Sequence, residues 1–401
     1  MSTSSGLTGE SSPGRAMIAG LVVAAFGAAG VVIVALEDPR RALLGWLAAY
    51  AFGLGTALGA LVLAMVFHVT DARWPLVLRP YVMAVAGVTP LFALLFLPIA
   101  LGLRAAYPWA HPAAAEQASE SASAAAAHAH QLLWQAPSFF LVRAGVYLGA
   151  WMILAISLGR ADARHDREPT PANARRQHRI SAAGIPALAL TMTFASFDWF
   201  MAAEPGWVSD MYGLYFFAGG LASAVSMVAI VAWLATRHAP ASRAPGPDHF
   251  GAVGRLMLMA TVLWAYIAFF QLLLVWIANL PREVGFYVSR SQSGYQIIDA
   301  FLIFGHFVGP FLVLLSRPLK QRPAALAVVA AWIVLMDAVD VAWLVLPAAG
   351  GGLRILDAAP FLVIGGLAVA YGAHRFQKPG VATLPPAGDP LLEESLRYRS
   401  P

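Results

Sequence analysis

Cysteine is absent from the 401 residues, which excludes disulfides, thiolate-bound iron–sulfur clusters and covalent haem attachment through a C-x-x-C-H motif on this chain. Charge is scarce: 12% of residues are charged, about half of what a soluble domain carries. The patterns G-x-x-x-x-G-K-[ST], H-E-x-x-H and G-x-S-x-G are missing, and no soluble stretch is long enough to hold a nucleotide, so catalysis by the chain alone is not expected. Alternating ten-residue strands of the barrel type are missing too.

What is present is apolar sequence, 59% hydrophobic with a mean hydropathy of +0.68. Runs of about 20 apolar residues, enough to cross roughly 30 Å of hydrocarbon as helix, recur near 16–36, 43–67, 78–102, 138–159, 183–203, 211–236, 254–279, 297–316, 324–346 and 355–374. They predict an all-α polytopic membrane protein of ten spans. The polar start "MSTSSGLTGESSPGR" leads into a full-length apolar run without a clear cleavage site, so the first span is expected to be retained.

Most of the 26 basic residues fall on the side that carries both termini, including six arginines between Arg160 and Arg179. The positive-inside rule then predicts a bacterial inner-membrane protein with both termini cytoplasmic. The charge of +5 sets orientation in the lipid bilayer and gives no support to nucleic-acid binding. The expected organisation is a cytoplasmic segment at 1–14, a membrane domain at 15–375 and a tail at 376–401. Within the membrane domain, 103–137 reads as a long periplasmic loop and 160–180 as a basic cytoplasmic loop. The long loop has an Ala/Ser/His centre between Trp109 and Trp134; His128 and His130 read as solvated, with metal binding the weaker alternative. The Pro-rich tail is too short for a domain and suits docking on a partner.

Gly55 and Gly59 form a G-x-x-x-G pair, and Gly219 and Gly220 sit in a second small-residue stretch; both read as helix-packing devices. Span five carries Asp198, Trp199 and Pro205 and span nine carries Asp340, Trp343 and Pro347. This matched spacing suits a duplicated four-helix unit, spans two to five and six to nine.

Ionisable groups inside spans are costly and mark partners, cavities or proton paths. Asp198, Asp337 and Asp340 lie in the outer half of outward-running spans, with Asp357, Glu204 and Arg143 near the same level. Together they could form one polar cluster. A carboxylate buried without a partner suits a proton acceptor, whereas pairing with Arg143 keeps one ionised. Function is the favoured reading for Asp198 and Asp340, a pairing role at the outer surface for Glu204 and Asp357, and Asp337 is open. His306 is the only histidine near the centre of a span, and a membrane haem needs two axial ligands. His306 is therefore a packing residue or part of a proton relay. Thr191, Thr193 and Ser196 could line a polar track with Asp198 or bond to their own helix; Tyr266 and Gln271 are equally ambiguous.

The stretches "TFASFDWFMAAEPGWVSDMYGLYFFAGG", "LWAYIAFFQLLLVWIANLPREVGFY", "PFLVLLSRPLK" and "DAVDVAWLVLP" resemble the NrfD-like (polysulfide reductase membrane subunit) family, closest to the second such subunit of bacterial alternative complex III. The resemblance covers about residues 15–375. It implies a ten-helix protein with two four-helix bundles and no redox cofactor of its own, in a complex that oxidises quinol, with menaquinol favoured, and passes electrons to cytochrome c or a terminal cytochrome oxidase. The implied partners are a paralogous membrane subunit, multihaem and monohaem cytochrome c subunits and an iron–sulfur subunit, which hold the haem and iron–sulfur centres. In this family the best supported quinol pocket belongs to the paralogue, so proton translocation is at least as strong a role here as quinol binding. By motif match, Asp198, Asp340 and His306 are the implied positions. Span three departs from the pattern, with Tyr81 and Val82 where relatives often show an acidic residue. A structural anchor without chemistry, or the membrane anchor of a polysulfide- or nitrite-reductase-like molybdoenzyme, are the competing readings.

Overall fold

The computed structural model describes residues 12–110, 134, 136–204, 207–237, 244–291, 294–376 and 391–399. His128, His130 and Pro205 lie outside them, as do the N-terminal residues 1–11 and the first part of the tail. Among the described residues every regular element is helical. Ten helices are long and apolar enough to cross a membrane: Gly14–Glu37, Pro39–Val69, Trp74–Leu101, Pro137–Arg167, Pro171–Ala203, Tyr212–Thr236, Pro247–Ala278, Tyr295–Leu315, Pro323–Ala349 and Ile355–Arg375. They are spans 1 to 10 below. The protein is an all-α, multi-pass membrane protein.

Local sequence explains where spans start. Pro39, Pro137, Pro171, Pro247 and Pro323 each occupy the first turn of their helix, where the missing N–H costs nothing and the fixed φ suits the helix. Asp38 caps span 2 by accepting from the Arg41 N–H at 3.0 Å, and Thr170 caps span 5 through the Asn173 N–H at 3.3 Å. Spans 4 and 5 extend well past the predicted 159 and 183, so the expected loop at 160–180 is largely helix, interrupted only around Glu168–Thr170. An apolar run marks how much chain the lipid covers, not where the hydrogen-bond ladder stops, and the Ala- and Arg-rich extensions favour helix.

Two spans are irregular. In span 3, prolines 75, 80, 90 and 98 divide the chain into short helical pieces, because each removes a donor and its ring crowds the preceding turn. Span 8 widens into a π-helix over Leu302–Val308. Pro310 follows at once and cannot donate to the carbonyl four residues back, and a wider turn accommodates that break.

Spans 2 to 5 pack as one group and spans 6 to 9 as another, and the two meet mainly along spans 2 and 6. At that seam a Cβ on Gly59 would lie 2.5 Å from the Gly220 carbonyl oxygen, and one on Gly220 would lie 2.6 Å from that of Gly55. Only glycine permits such backbone contact. Thr56 Oγ1 donates across the seam to Ser223 Oγ at 3.0 Å. Spans 1 and 10 form a separate pair against span 2, with Gly20 and Gly366 in the same reciprocal contact, 2.6 and 2.5 Å from each other's carbonyl oxygens.

The end of the tail packs on its own chain. Ser395 Oγ donates to the Trp74 carbonyl at 2.9 Å, Tyr398 stacks on Trp74 at 5.5 Å, and the Ser395 carbonyl lies 2.9 Å from His249 Nε2. Trp74 opens span 3 and His249 lies at the start of span 7, so residues 391–399 bridge the two bundles.

Candidate functional site

The ionisable residues do not gather into one cluster; they separate into four sites. In the first bundle, Asp198 ends span 5 and is fully engaged. Arg143 of span 4 donates to it through Nε at 2.7 Å and a terminal nitrogen at 3.0 Å, Tyr147 through its hydroxyl at 2.9 Å and Trp134 through its indole at 2.9 Å. Arg143 also lies over the Trp134 and Phe139 rings, at 4.1 and 4.5 Å. A bidentate arginine flanked by two neutral donors holds this carboxylate as a fixed ion pair. The hydroxyls expected to lead to it turn onto their own helix: Ser196 donates to the Thr193 carbonyl at 2.7 Å, Thr193 to Ala189 at 2.9 Å and Thr191 to Ala187 at 2.7 Å. No polar track forms there.

Two further carboxylates are ion-paired at the span ends. Asp357 binds Arg41 through contacts of 2.8 and 2.5 Å and accepts the Arg354 N–H at 2.8 Å. Glu204 binds Arg290 at 2.7 and 3.2 Å. Arg290 is wholly buried; it also donates to the Trp343, Phe286 and Leu344 carbonyls, and its guanidinium lies 3.4 Å from the Phe286 ring. Glu204 is thus a bundle-end anchor paired with an arginine. In the sequence Arg41 and Arg290 are two of the 26 basic residues and carry no local sign of a partner. Their partners lie 316 and 86 residues away, and nothing local shows that an arginine at a helix end turns inward.

The fourth site, in the second bundle, differs in kind. Asp340 of span 9 accepts from Tyr215 of span 6 at 2.7 Å and from the Trp264 indole of span 7 at 2.9 Å. This is the donor pair that Asp198 has, one tyrosine and one tryptophan, without the arginine. One helical turn away, Asp337 is 1% exposed and neither of its oxygens makes a hydrogen bond of good geometry among the described residues, although the Ser223 hydroxyl lies close to it. His306, in the π-helix of span 8, is fully buried and stacks on Trp264 at 3.9 Å, with both ring nitrogens likewise unpartnered. Ser226 and Thr261 add two more buried hydroxyls without partners among the described residues in the same bundle. Native interiors leave few polar atoms unsatisfied, and such atoms call for bound water or a role; the first bundle also has them, at Tyr50, Tyr81, Asp162 and Trp199, but there no carboxyl group has both oxygens unpartnered among the described residues.

A narrow cavity adjoins Asp337 and Asp340, walled by Ala51, Phe52, Gly55, Tyr215, Gly219 and Val341 among others. It has room for on the order of one water molecule, far short of a quinone headgroup. Gln271 is buried at the Glu204 end, where it accepts from Ser209 at 3.3 Å and donates to Tyr287 at 3.5 Å. Tyr287, outside the spans, has its hydroxyl pushed up to about 12 by burial. Tyr266 is 57% exposed on the outside of span 7 and joins no site. No group of three metal-ligating side chains occurs among the described residues.

Neither a protein-family model nor a curated protein matches the chain. The geometry therefore carries the functional argument. Of the two aspartates that the sequence pattern favoured, it keeps Asp340, sets Asp198 aside as an ion pair and adds Asp337, with His306 beside them. What set these apart, the missing cation, is invisible in a sequence that shows similar residues around both aspartates.

Proposed function

We propose that the protein is a cofactor-free membrane subunit of a quinol-oxidising respiratory complex, of the alternative complex III kind, whose second bundle accepts and releases protons. The observation that carries this reading is the pair Asp337 and Asp340, buried side by side with neutral donors and, among the described residues, no cation. A carboxylate held by arginine cannot exchange its proton near neutral pH, whereas one without a cation can. Tyr215 and Trp264 orient Asp340, and His306 packs against Trp264. The resemblance in sequence to the NrfD-like subunits supports the complex, its menaquinol substrate and its haem- and iron–sulfur-bearing partners. The basic residues support an inner-membrane location with cytoplasmic termini.

The cavity beside Asp337 is too small for a quinone ring, so at this site proton handling is the better reading. The test is turnover and proton release by the purified complex carrying Asp340→Asn or Asp337→Asn. Loss of proton release with normal assembly is expected; unchanged turnover and stoichiometry in both would remove the pair from the mechanism and leave a structural anchor as the better reading.

A further inference from the structure

We infer that the seam cavity holds one ordered water through which Asp337 and Asp340 share a single proton, and that Gly219 is the positioning residue that makes room for it. The inference rests on the proton-handling reading of this site.

Two independent observations lead to it. The first is that Asp337, 1% exposed, lines the cavity with neither oxygen in a hydrogen bond of good geometry among the described residues. The second is the wall opposite: a Cβ built on Gly219 would lie 2.6 Å from Asp337 Oδ1, closer than any carbon tolerates. The carboxyl group thus rests directly over the Gly219 backbone, in space that every other residue type would fill. Asp340 lies on the same cavity, its oxygens each accepting one bond, from Tyr215 and from Trp264. A carboxylate oxygen carries two acceptor sites, so each can take one more donor. A buried water needs two to four polar partners, and the two aspartates supply them.

The transfer is balanced. The Asp337 O–H gives its proton to the water oxygen as the water gives one of its own to Asp340, leaving Asp337 ionised, Asp340 protonated and the water unchanged. Two carboxylates this close without a cation cannot both be ionised, so the pair retains one proton and its position is what moves. Tyr215 and Trp264 stabilise the charge when it is on Asp340, two donors against the single Ser223 hydroxyl near Asp337. The proton therefore rests on Asp337.

The experiment is infrared spectroscopy of the assembly purified from membranes, following protonated-carboxyl absorption in H2O and D2O. One carboxyl signal is expected, abolished by Asp337→Asn and shifted by Asp340→Asn. Gly219→Ala should shift it by displacing the Asp337 side chain. Val341→Ile adds one methylene to the cavity wall and leaves the glycine contacts of spans 2 and 6 intact, so it reports on the water even if Gly219→Ala fails to assemble; it too should shift the signal. Two signals, each indifferent to loss of the other aspartate, would overturn the shared proton while leaving the proton-handling role standing if Asp340→Asn still abolishes proton release. A signal unmoved by Val341→Ile would overturn the water. Absence of any protonated carboxyl would overturn both this inference and the reading beneath it.

Discussion

Asp198 and Asp340 show how one added side chain changes what a carboxylate can do. Both accept from a tyrosine and a tryptophan; Asp198 also has Arg143. Removing charge from the first strands a buried guanidinium, so Asp198→Asn should cost about 3–5 kcal/mol, seen as a lower thermal midpoint and poor recovery of the assembled protein. Asp340→Asn strands no cation among the described residues and should cost about 1 kcal/mol, leaving yield near wild type while proton release is lost. Equal loss of yield in the two variants would remove the distinction. Arg290→Met belongs with Asp198→Asn: it leaves Glu204 without its cation and frees the Trp343, Phe286 and Leu344 carbonyls, and a drop in midpoint of comparable size is expected.

Among the elements, span 8 and the tail helix depart most from a plain bundle. The π-turn places His306 against Trp264, and Pro310 is its cause by the argument above. Pro310→Ala should let the turn tighten to α-helix, raise the thermal midpoint and lower turnover, a trade typical of strain kept at a functional site. A variant no more stable than wild type would separate the proline from the widening. The tail is checked by a chain ending at Pro390. It uncovers Trp74, leaves His249 Nε2 without the Ser395 carbonyl, and should lose about 1–3 kcal/mol as measured by thermal unfolding in detergent. The ten spans themselves were legible in the sequence, because lipid imposes a length and a composition on every crossing. The π-turn and the helical extensions beyond 159 and before 183 were not, since hydropathy is blind to how a ladder is closed. Nor was the pairing of the carboxylates: Asp357 looked like a helix-end group, yet its partner Arg41 is at the far end of the chain, and only the packing of span 10 against span 2 brings them together.

At the scale of the whole molecule, two halves meet on bare backbone. Gly59→Val would force a branched side chain into a space where even a Cβ lies 2.5 Å from the Gly220 carbonyl oxygen, and the same shift would disturb the Thr56–Ser223 bond and the cavity wall at Gly55. Such overpacking costs typically about 1–3 kcal/mol and occasionally more, and here it acts on both bundles at once. The expected result is loss of proton release along with a lowered midpoint, whereas an equivalent change at Gly145, where a Cβ meets nothing within 4 Å, should be silent in both measurements.

The pairing of spans 1 and 10 also has a meaning in time. A ribosome delivers the chain from its N-terminus, so the surface of span 1 that carries Gly20 and Gly27 enters the bilayer long before Gly366 and Ala359, its contacts, have been synthesised. For the whole of translation the first helix is an unmatched half of a clasp, held in lipid with its small-residue groove open. Span 10, made after the other nine, closes it.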